Sequence, residues 1–274
     1  MHPPIDVRPL FGPLDDLLLD LLRSLKPSDW DLPTAARRWR VRDVVAHLLD
    51  GNLRTLSAQR DGYLGEAPPP IDSYATLVAW LDSLNATWVQ AARRLSPGVL
   101  VALHEATGRA VTDYYCSLDP AAEAVFAVSW AGETRSLNSL HLAREYTEKW
   151  HHQQQIREAT GQAGLMSRTY FYPFIDTMFR AWPHTFRSVA APEGTLVHAA
   201  VTGPAGGDWY LRKGPAAWHL SSQGGEAPAA RVRLAPDIAW KLFCYNIRPA
   251  EAPAELHGDP QLGRWVLDMV AVMA

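Results

Sequence analysis

The spacing of apolar residues divides the chain into a helical first part and a mixed second part. Apolar residues recur at intervals of three and four in four long segments before about Gly164, and this period predicts amphipathic helices. The segments are 14–25, 42–60, 71–95 and 139–159. The short apolar runs within residues 100–130 are compatible with strands or with pieces of helix. Four long helices joined by loops favour an up-and-down four-helix bundle.

Beyond about Gly164, glycine and proline become frequent and the apolar runs shorten. Alternating apolar and polar residues bounded by turns predict strands over 195–201, 208–212, 217–220, 229–234 and 255–259. Helices are predicted over 236–245 and 262–273. The sequence therefore predicts an α+β fold with two domains. The first is a helical bundle over residues 1–164, and the second is a smaller α+β domain over residues 165–274.

Composition and charge narrow the classes of function. The chain has 274 residues, of which 47% are hydrophobic and 20% are charged, as in ordinary globular proteins. A net charge of −3 without any basic run excludes an electrostatic footprint for nucleic acid or for an anionic membrane. The leucine-rich stretch at residues 17–22 is too short to span a bilayer, and the first residues do not resemble a signal peptide. We therefore expect a cytoplasmic protein that acts on a small molecule.

The segment 139–159 carries the strongest chemical signal. Glu148 and His152 are four residues apart, which places both side chains on one helix face, and His141 and Glu145 continue the same stripe. A carboxylate and imidazoles at this spacing can bind one divalent metal, and they suit zinc, nickel, iron or manganese. The same residues are also compatible with a solvated ion pair. His151 adjoins His152, but successive helical residues point about 100° apart, so we do not expect it to be a ligand.

A metal held by two groups on one helix needs a third ligand from elsewhere in the chain. His47 is the candidate, because it is a single histidine on an otherwise apolar segment. A histidine in such a position is also compatible with a buried residue whose hydrogen bonds are satisfied by its neighbours. From the residues alone, both interpretations remain open.

Two stretches resemble the DinB/YfiT-like metalloprotein superfamily, and within it the mycothiol-dependent maleylpyruvate isomerase family. The first is Trp39–His47, a single histidine after a Trp-x-Val-x-Asp lead-in, and the second is Glu148–His152, followed by Ala159-Thr160-Gly161. The resemblance implies that His47, Glu148 and His152 bind one divalent metal, zinc first among the alternatives. It also implies a low-molecular-weight thiol as cofactor. Gln155 departs from the pattern, because family members often carry an aspartate there.

The second half resembles the sterol-carrier-like domain of the same family. The matching features are the helix around residues 239–245, then Arg248, then the strand that ends in Gly258-Asp259. The resemblance implies that the second domain completes the site and that Arg248 binds a substrate carboxylate. A structural salt bridge is an alternative role for Arg248. Three further arginines compete for an anion-binding role, namely Arg187, Arg212 and Arg231.

Three functions compete on this basis. The first is a metal-dependent enzyme that uses a thiol, as an isomerase or a thiol S-transferase acting on a small, carboxylate-bearing substrate. The second is a metal-dependent hydrolase that activates water. The third is a non-catalytic small-ligand-binding protein with a structural metal. Cys116 and Cys244 form no CxxC pair, and we expect both to be buried small hydrophobes rather than nucleophiles. The sequence leaves the substrate and the oligomeric state open.

Overall fold

The computed structural model describes residues 4–65, 68–221, 224 and 227–269, which form two compact units. The helical unit consists of Asp6–Val125 and Glu148–Gly164. The mixed unit consists of Phe126–Thr147, the residues from Leu165 onward and the few residues that precede Asp6. Among the described residues, no helix combines the length and the apolar character that crossing a membrane requires.

The helical unit is built from long helices around a leucine-rich core. They are α1 (Arg8–Ser24), α2 (Val41–Arg54), α3 (Tyr74–Ala92), α4 (Pro97–Ser117) and the second half of α5 (Asn138–Ala159), which begins in the mixed unit. A π-helical turn at Thr55–Arg60 continues α2. Leu22, Val45, Leu49, Leu100 and Ile156 are buried together and join α1, α2, α4 and α5. The core therefore draws on positions that are distant in the sequence.

The helix α4 resolves part of the segment that was ambiguous in the sequence. Ser96 caps its first turn by accepting a hydrogen bond from the Val99 backbone N–H at 3.4 Å, and Pro97 occupies the first helical position. The alternative of a short strand at residues 99–103 is wrong, because these residues form the first turns of the helix that the Ser96-Pro97 pair begins. Val125–Val128 belongs to neither a helix nor a strand.

The mixed unit contains a five-stranded sheet in the order β3-β2-β1-β4-β5. The strands are β1 (Leu196–Val201), β2 (Gly207–Lys213), β3 (Trp218–Ser221), β4 (Ala230–Leu234) and β5 (Glu255–Gly258). β1 pairs in parallel with β4, and the other pairs are antiparallel. The helices are the first half of α5, α6 (Arg168–Met178), α7 (Trp182–Thr185), α8 (Pro236–Phe243) and α9 (Pro260–Leu267). A mixed helical and five-stranded fold is thus confirmed.

The two faces of this sheet differ in polarity. Gly263 of α9 lies against Val232 and Leu256, so α9 covers the apolar face. The opposite face carries polar side chains, among them His198 and Arg231. The side chains of this polar face lie in register across the strands.

Two parts of the second half differ from the sequence expectations. The sequence made no prediction for the region that forms α6 and α7, where Pro173 lies inside a helix and obscures the pattern. The last helix ends at Leu267, and residues 270–273 of the predicted segment lie outside the described residues.

Candidate metal centre

The helical spacing of α5 brings Glu148 and His152 together. The two residues lie one helical turn apart on the same face, and the distance between His152 Nε2 and Glu148 Oε2 is 3.5 Å. Gln155 lies on the far side of the imidazole, and its Oε1 is 3.0 Å from His152 Nδ1. Because an amide oxygen only accepts, this contact favours the tautomer of His152 with its proton on Nδ1, which directs the Nε2 lone pair toward Glu148.

His47 reaches the same place from α2. The helix begins where the Asp43 carboxylate accepts a hydrogen bond from the Arg40 backbone N–H, at 3.1 Å, and this fixes the register of the turn that carries His47. The His47 ring lies 4.5 Å from the His152 ring, edge to face at 74°. The Trp39 ring lies 4.8 Å from the His47 ring. An aromatic neighbour therefore restricts the orientation of this imidazole.

One ligand atom from each of His47, Glu148 and His152 lies within 4.8 Å of the others. Zinc binds imidazole nitrogen and carboxylate oxygen at about 2.0–2.2 Å, so ligand atoms around one ion are about 3–4 Å apart. The observed spacing needs only a small contraction to match this range. The three atoms therefore fit a single divalent ion.

The electrostatics of His47 also suit a metal ligand. Burial, with the neighbouring His152 and Arg54, lowers the pKa of His47 well below its usual range. The imidazole is therefore neutral at physiological pH, which is the form that binds a metal. Within the described residues, His47 Nδ1 is buried without a hydrogen-bond partner. A buried polar atom without a partner is costly, and a bound metal ion at this site would make use of the ring's coordinating capacity.

Comparison with known proteins assigns the chain to a family. The model of the mycothiol maleylpyruvate isomerase N-terminal domain matches residues 11–157, which is more than half of the chain and includes all three candidate ligands. The chain belongs to the mycothiol maleylpyruvate isomerase N-terminal domain family. No curated protein matches it in sequence.

Two solved structures share the fold over most of their length. A crystal structure of a mycothiol-dependent maleylpyruvate isomerase has a TM-score of 0.56 and 13% sequence identity, with 92% of each chain covered. A crystal structure of a histidine-to-alanine mutant of mycothiol-dependent maleylpyruvate isomerase has a TM-score of 0.55 and 12% identity, with 92% of this chain and 93% of that chain covered. At such low identity the likeness concerns the fold alone. The family membership rests on the sequence match.

In this family member, His151 lies next to the three ligands but outside their cluster. Its ring is 3.9 Å from the His152 ring, and burial lowers its pKa well below the usual range. The side chain is buried, and in the described part of the chain its Nδ1 has no hydrogen-bond partner. That His151 is not a ligand remains a prediction, which a variant can test.

The rest of the α5 stripe is satisfied without a metal. Glu145 Oε1 accepts a hydrogen bond from Arg144 at 2.7 Å and lies 3.6 Å from His141 Nε2. Burial lowers the pKa of His141 to about 4. An arginine next in sequence thus provides the neutralising charge that the stripe needs.

Arg248 lies in the mixed unit, between α8 and β5. It pairs with Glu251, three residues further on, at a short turn that begins with Pro249. Its side chain is 69% exposed, so it has a salt bridge and remains accessible. Among the cysteines, Cys244 is buried as expected, but the expectation for Cys116 is wrong. Cys116 is exposed because it lies on the outer side of the last turn of α4.

Sequence reasoning missed a buried polar network beside the candidate ligands. Lys149 Nζ donates to Asp15 Oδ1 and to Asn52 Oδ1, both at 2.9 Å. Asn52 donates to Thr107 of α4, and Thr112 of α4 donates to Asp15. The network joins α1, α2, α4 and α5. The available signal was the presence of single polar residues on otherwise apolar helix faces.

Proposed function

We propose that this chain is a metal-dependent enzyme that uses a low-molecular-weight thiol of the mycothiol type. In this proposal it is an isomerase or a thiol S-transferase, and its substrate is a small molecule that bears a carboxylate. The observation that carries the proposal is the convergence of His47, Glu148 and His152, with ligand atoms within 4.8 Å, in a chain of this family.

The donor set supports a thiolate as the further ligand. Two neutral imidazoles and one carboxylate leave a divalent ion with a net charge of about +1, which an anionic sulfur would neutralise. A bound metal of this kind, zinc first, supplies an open coordination position that lowers the pKa of a thiol and stabilises its thiolate. Gln155 holds His152 in the tautomer that presents Nε2. Trp39 restricts the His47 ring.

The chain's own cysteines do not compete with an added thiol. Cys116 lies in the helical unit on an exposed turn, and Cys244 is buried in the mixed unit. Neither belongs to the three-ligand cluster. A nucleophilic sulfur at the site would therefore come from a small molecule.

The proposal extends to the two halves of the chain. We propose that residues 1–164 correspond to a DinB-like four-helix bundle and residues 165–274 to a sterol-carrier-like domain that contributes to catalysis. Arg248 is proposed to bind the substrate carboxylate. A planar guanidinium can bind a carboxylate through two parallel hydrogen bonds, and its exposure leaves it accessible for this.

Cobalt substitution provides the decisive test. The purified full chain is loaded with Co²⁺ and titrated with mycothiol, glutathione, bacillithiol and 2-mercaptoethanol, and the absorption spectrum is recorded. A sulfur-to-metal charge-transfer band with one natural thiol, lost in His152→Ala, is the expected result. An unchanged spectrum with every thiol, together with hydrolysis of an ester or amide, would replace the proposal with a hydrolase. If the metal exchanges no ligand in any of these titrations, the metal has a structural role.

A further inference from the structure

The open face of the sheet carries a row of polar residues that the proposed function does not use. Direct strand pairing places Tyr210, His198, Arg231 and His257 opposite one another on β2, β1, β4 and β5. Residues directly opposite in a sheet project from the same face. Alternation of apolar and polar side chains accounts for the positions on β2 and β4, whereas His198 is the single polar residue of the otherwise apolar β1.

One arginine of the row is anchored rather than free. Arg231 Nε donates to His198 Nδ1 at 3.0 Å, and His198 Nε2 donates to Asp208 Oδ1 at 2.7 Å. The Tyr210 ring stacks on the His198 ring, with centroids 4.6 Å apart at 11°. His198 itself is buried. A chain of two hydrogen bonds therefore holds the guanidinium by one edge and leaves its terminal amino groups available.

Arg231 differs in its contacts from the other arginines that could bind an anion. Arg187 donates to the backbone carbonyl of His184 at 2.7 Å, and Arg212 donates to that of Gly194 at 3.3 Å. Arg233, two residues further along β4, pairs with Glu255 at 3.4 Å. In the described part of the chain, Arg231 has no carboxylate within ion-pair distance. The Asp208 carboxylate is linked to Arg231 only through the His198 ring, so the guanidinium has no direct ion pair with a described residue.

An open groove lies beside this guanidinium. It has a volume of about 240 Å³ and is lined by Pro228, Arg231, His257 and Gly258. Gly258 has φ +80°, and a Cβ there would lie 2.2 Å from the Ala229 carbonyl oxygen, so only glycine fits. The backbone conformation thus excludes a side chain at position 258, which lines the groove. The size suits the head group of a small molecule rather than a large ligand.

We infer that Arg231 and His257 form a binding site for a small oxyanion, a phosphate or a carboxylate group, on the open face of the sheet. A guanidinium and an imidazole that lie directly opposite on neighbouring strands can both donate hydrogen bonds to an anion between them. The anchoring by His198 reduces the side-chain entropy that Arg231 loses when it binds. The residues of this site belong to the mixed unit and share no member with the proposed metal ligands, which belong to the helical unit.

The test measures anion binding to the full chain by nuclear magnetic resonance, following backbone amide shifts of β4 and β5. Inorganic phosphate and succinate are titrated separately, so that the two sources of oxyanion are distinguished. Saturable shifts with either anion are expected. Arg231→Gln should weaken binding at least tenfold and Arg231→Lys severalfold, because lysine keeps the charge but loses the fork. The absence of saturable shifts with both anions would overturn the inference.

Arg233→Gln is the matched control, since it removes the same charge from the same strand and face. It should change the dissociation constant less than twofold. Equal losses in Arg231→Gln and Arg233→Gln would show a general charge effect and would overturn the proposed site. Metal content and thermal midpoint are measured on each variant. If Arg231→Gln fails to fold, Arg231→Lys against Arg233→Lys decides the question in the same way.

Discussion

Gln155 Oε1 lies 3.0 Å from His152 Nδ1, so an amide oxygen orients the imidazole of a candidate metal ligand. Hydrogen bonds to the second nitrogen of a ligating histidine fix its tautomer and its ring plane. An aspartate in this position would add a negative charge, whereas a glutamine only orients. The departure from the family pattern thus keeps the orienting function and gives up the charge.

Removal of this hydrogen bond is expected to weaken metal binding without abolishing it. Gln155→Ala should lower the affinity for zinc about 10–100-fold, the usual effect of losing such an outer partner. Competition with a chromophoric chelator measures the affinity. Gln154→Ala is the control, because Gln154 is buried on the same helix but is not hydrogen-bonded to His152. Equal losses in the two variants would mean that helix packing, rather than the hydrogen bond, sets the affinity.

The neighbouring histidines are expected to behave differently. His152→Ala should abolish stoichiometric zinc binding, because it removes one of three ligands, while His151→Ala should retain most of it. The two residues are both buried and adjacent, so each serves as the structural control for the other. Elemental analysis of the purified variants gives the answer. Loss of metal in His151→Ala with retention in His152→Ala would show that the assumed register is wrong and that His151, not His152, is the ligand beside Glu148.

The buried network is expected to contribute strongly to stability. Lys149→Met leaves the Asp15 carboxylate largely buried without its cation, which should cost about 3–5 kcal/mol of unfolding free energy. Urea unfolding followed by circular dichroism measures it. Arg23→Gln, which breaks the exposed pair with Glu105, should cost less than about 1 kcal/mol.

A double variant tests whether removal of the second charge restores the stability lost in Lys149→Met. Asp15→Leu combined with Lys149→Met removes both charges, so it should be more stable than Lys149→Met alone. A double variant that is less stable than the single one would show that the ion pair is not the source of the cost.

The free energy of unfolding is expected to decrease as the pH is lowered, because His104 is buried in its neutral form. This buried residue donates from Nε2 to the Val45 carbonyl at 2.9 Å, and burial lowers its pKa to about 4. The unfolded chain binds a proton near the usual histidine pKa, so stability is lost as pH falls from about 6.5 to about 4. His104→Gln keeps a donor to Val45 without a titrating group. Between pH 7 and pH 5, the variant should lose about 1–2 kcal/mol less than the parent chain. Identical pH profiles for the two proteins would rule out this assignment.

Substitution of Arg248 is expected to weaken binding of the substrate and to leave the metal content unchanged. Arg248→Ala should raise KM for a carboxylate-bearing substrate at least tenfold while zinc remains stoichiometric. Arg248→Lys should recover little, since lysine lacks the fork. Glu251→Gln is the control, because it breaks the same salt bridge and leaves the guanidinium in place. If both variants raise KM equally, Arg248 has a structural role at its turn.

The sequence allowed prediction of the parts that depend on local spacing. A four-residue interval brought Glu148 and His152 together, as expected from helix geometry, and strand alternation predicted the five strands. The helix α4 was missed in part because its apolar residues occur in short runs that resemble strands. The Ser96-Pro97 cap was the local signal that distinguishes the two.

Contacts between distant segments were beyond the reach of sequence patterns. Lys149 meets Asp15 across 134 positions, and neither residue has a motif around it. Arg231 meets His198 only because β4 pairs in parallel with β1, a register that the strand pattern does not define. The polar row on the sheet therefore needed the three-dimensional structure, although each of its members lies in a segment that the sequence predicts as a strand.

The helical unit is discontinuous in sequence, since residues 126–147 belong to the mixed unit. During synthesis, a nascent chain that ends at Val125 contains α1, α2, α3 and α4, but it lacks Lys149. Asp15 and Asn52 then have no cation to meet, and the apolar core lacks Ile156. Translation must proceed through Gly164 before this unit can close, by which time part of the other unit has already left the ribosome. Because every strand of the mixed unit lies beyond Gly164, the helical unit can then close while that sheet is still unsynthesised, with residues 126–147 emerged but without the rest of their own unit.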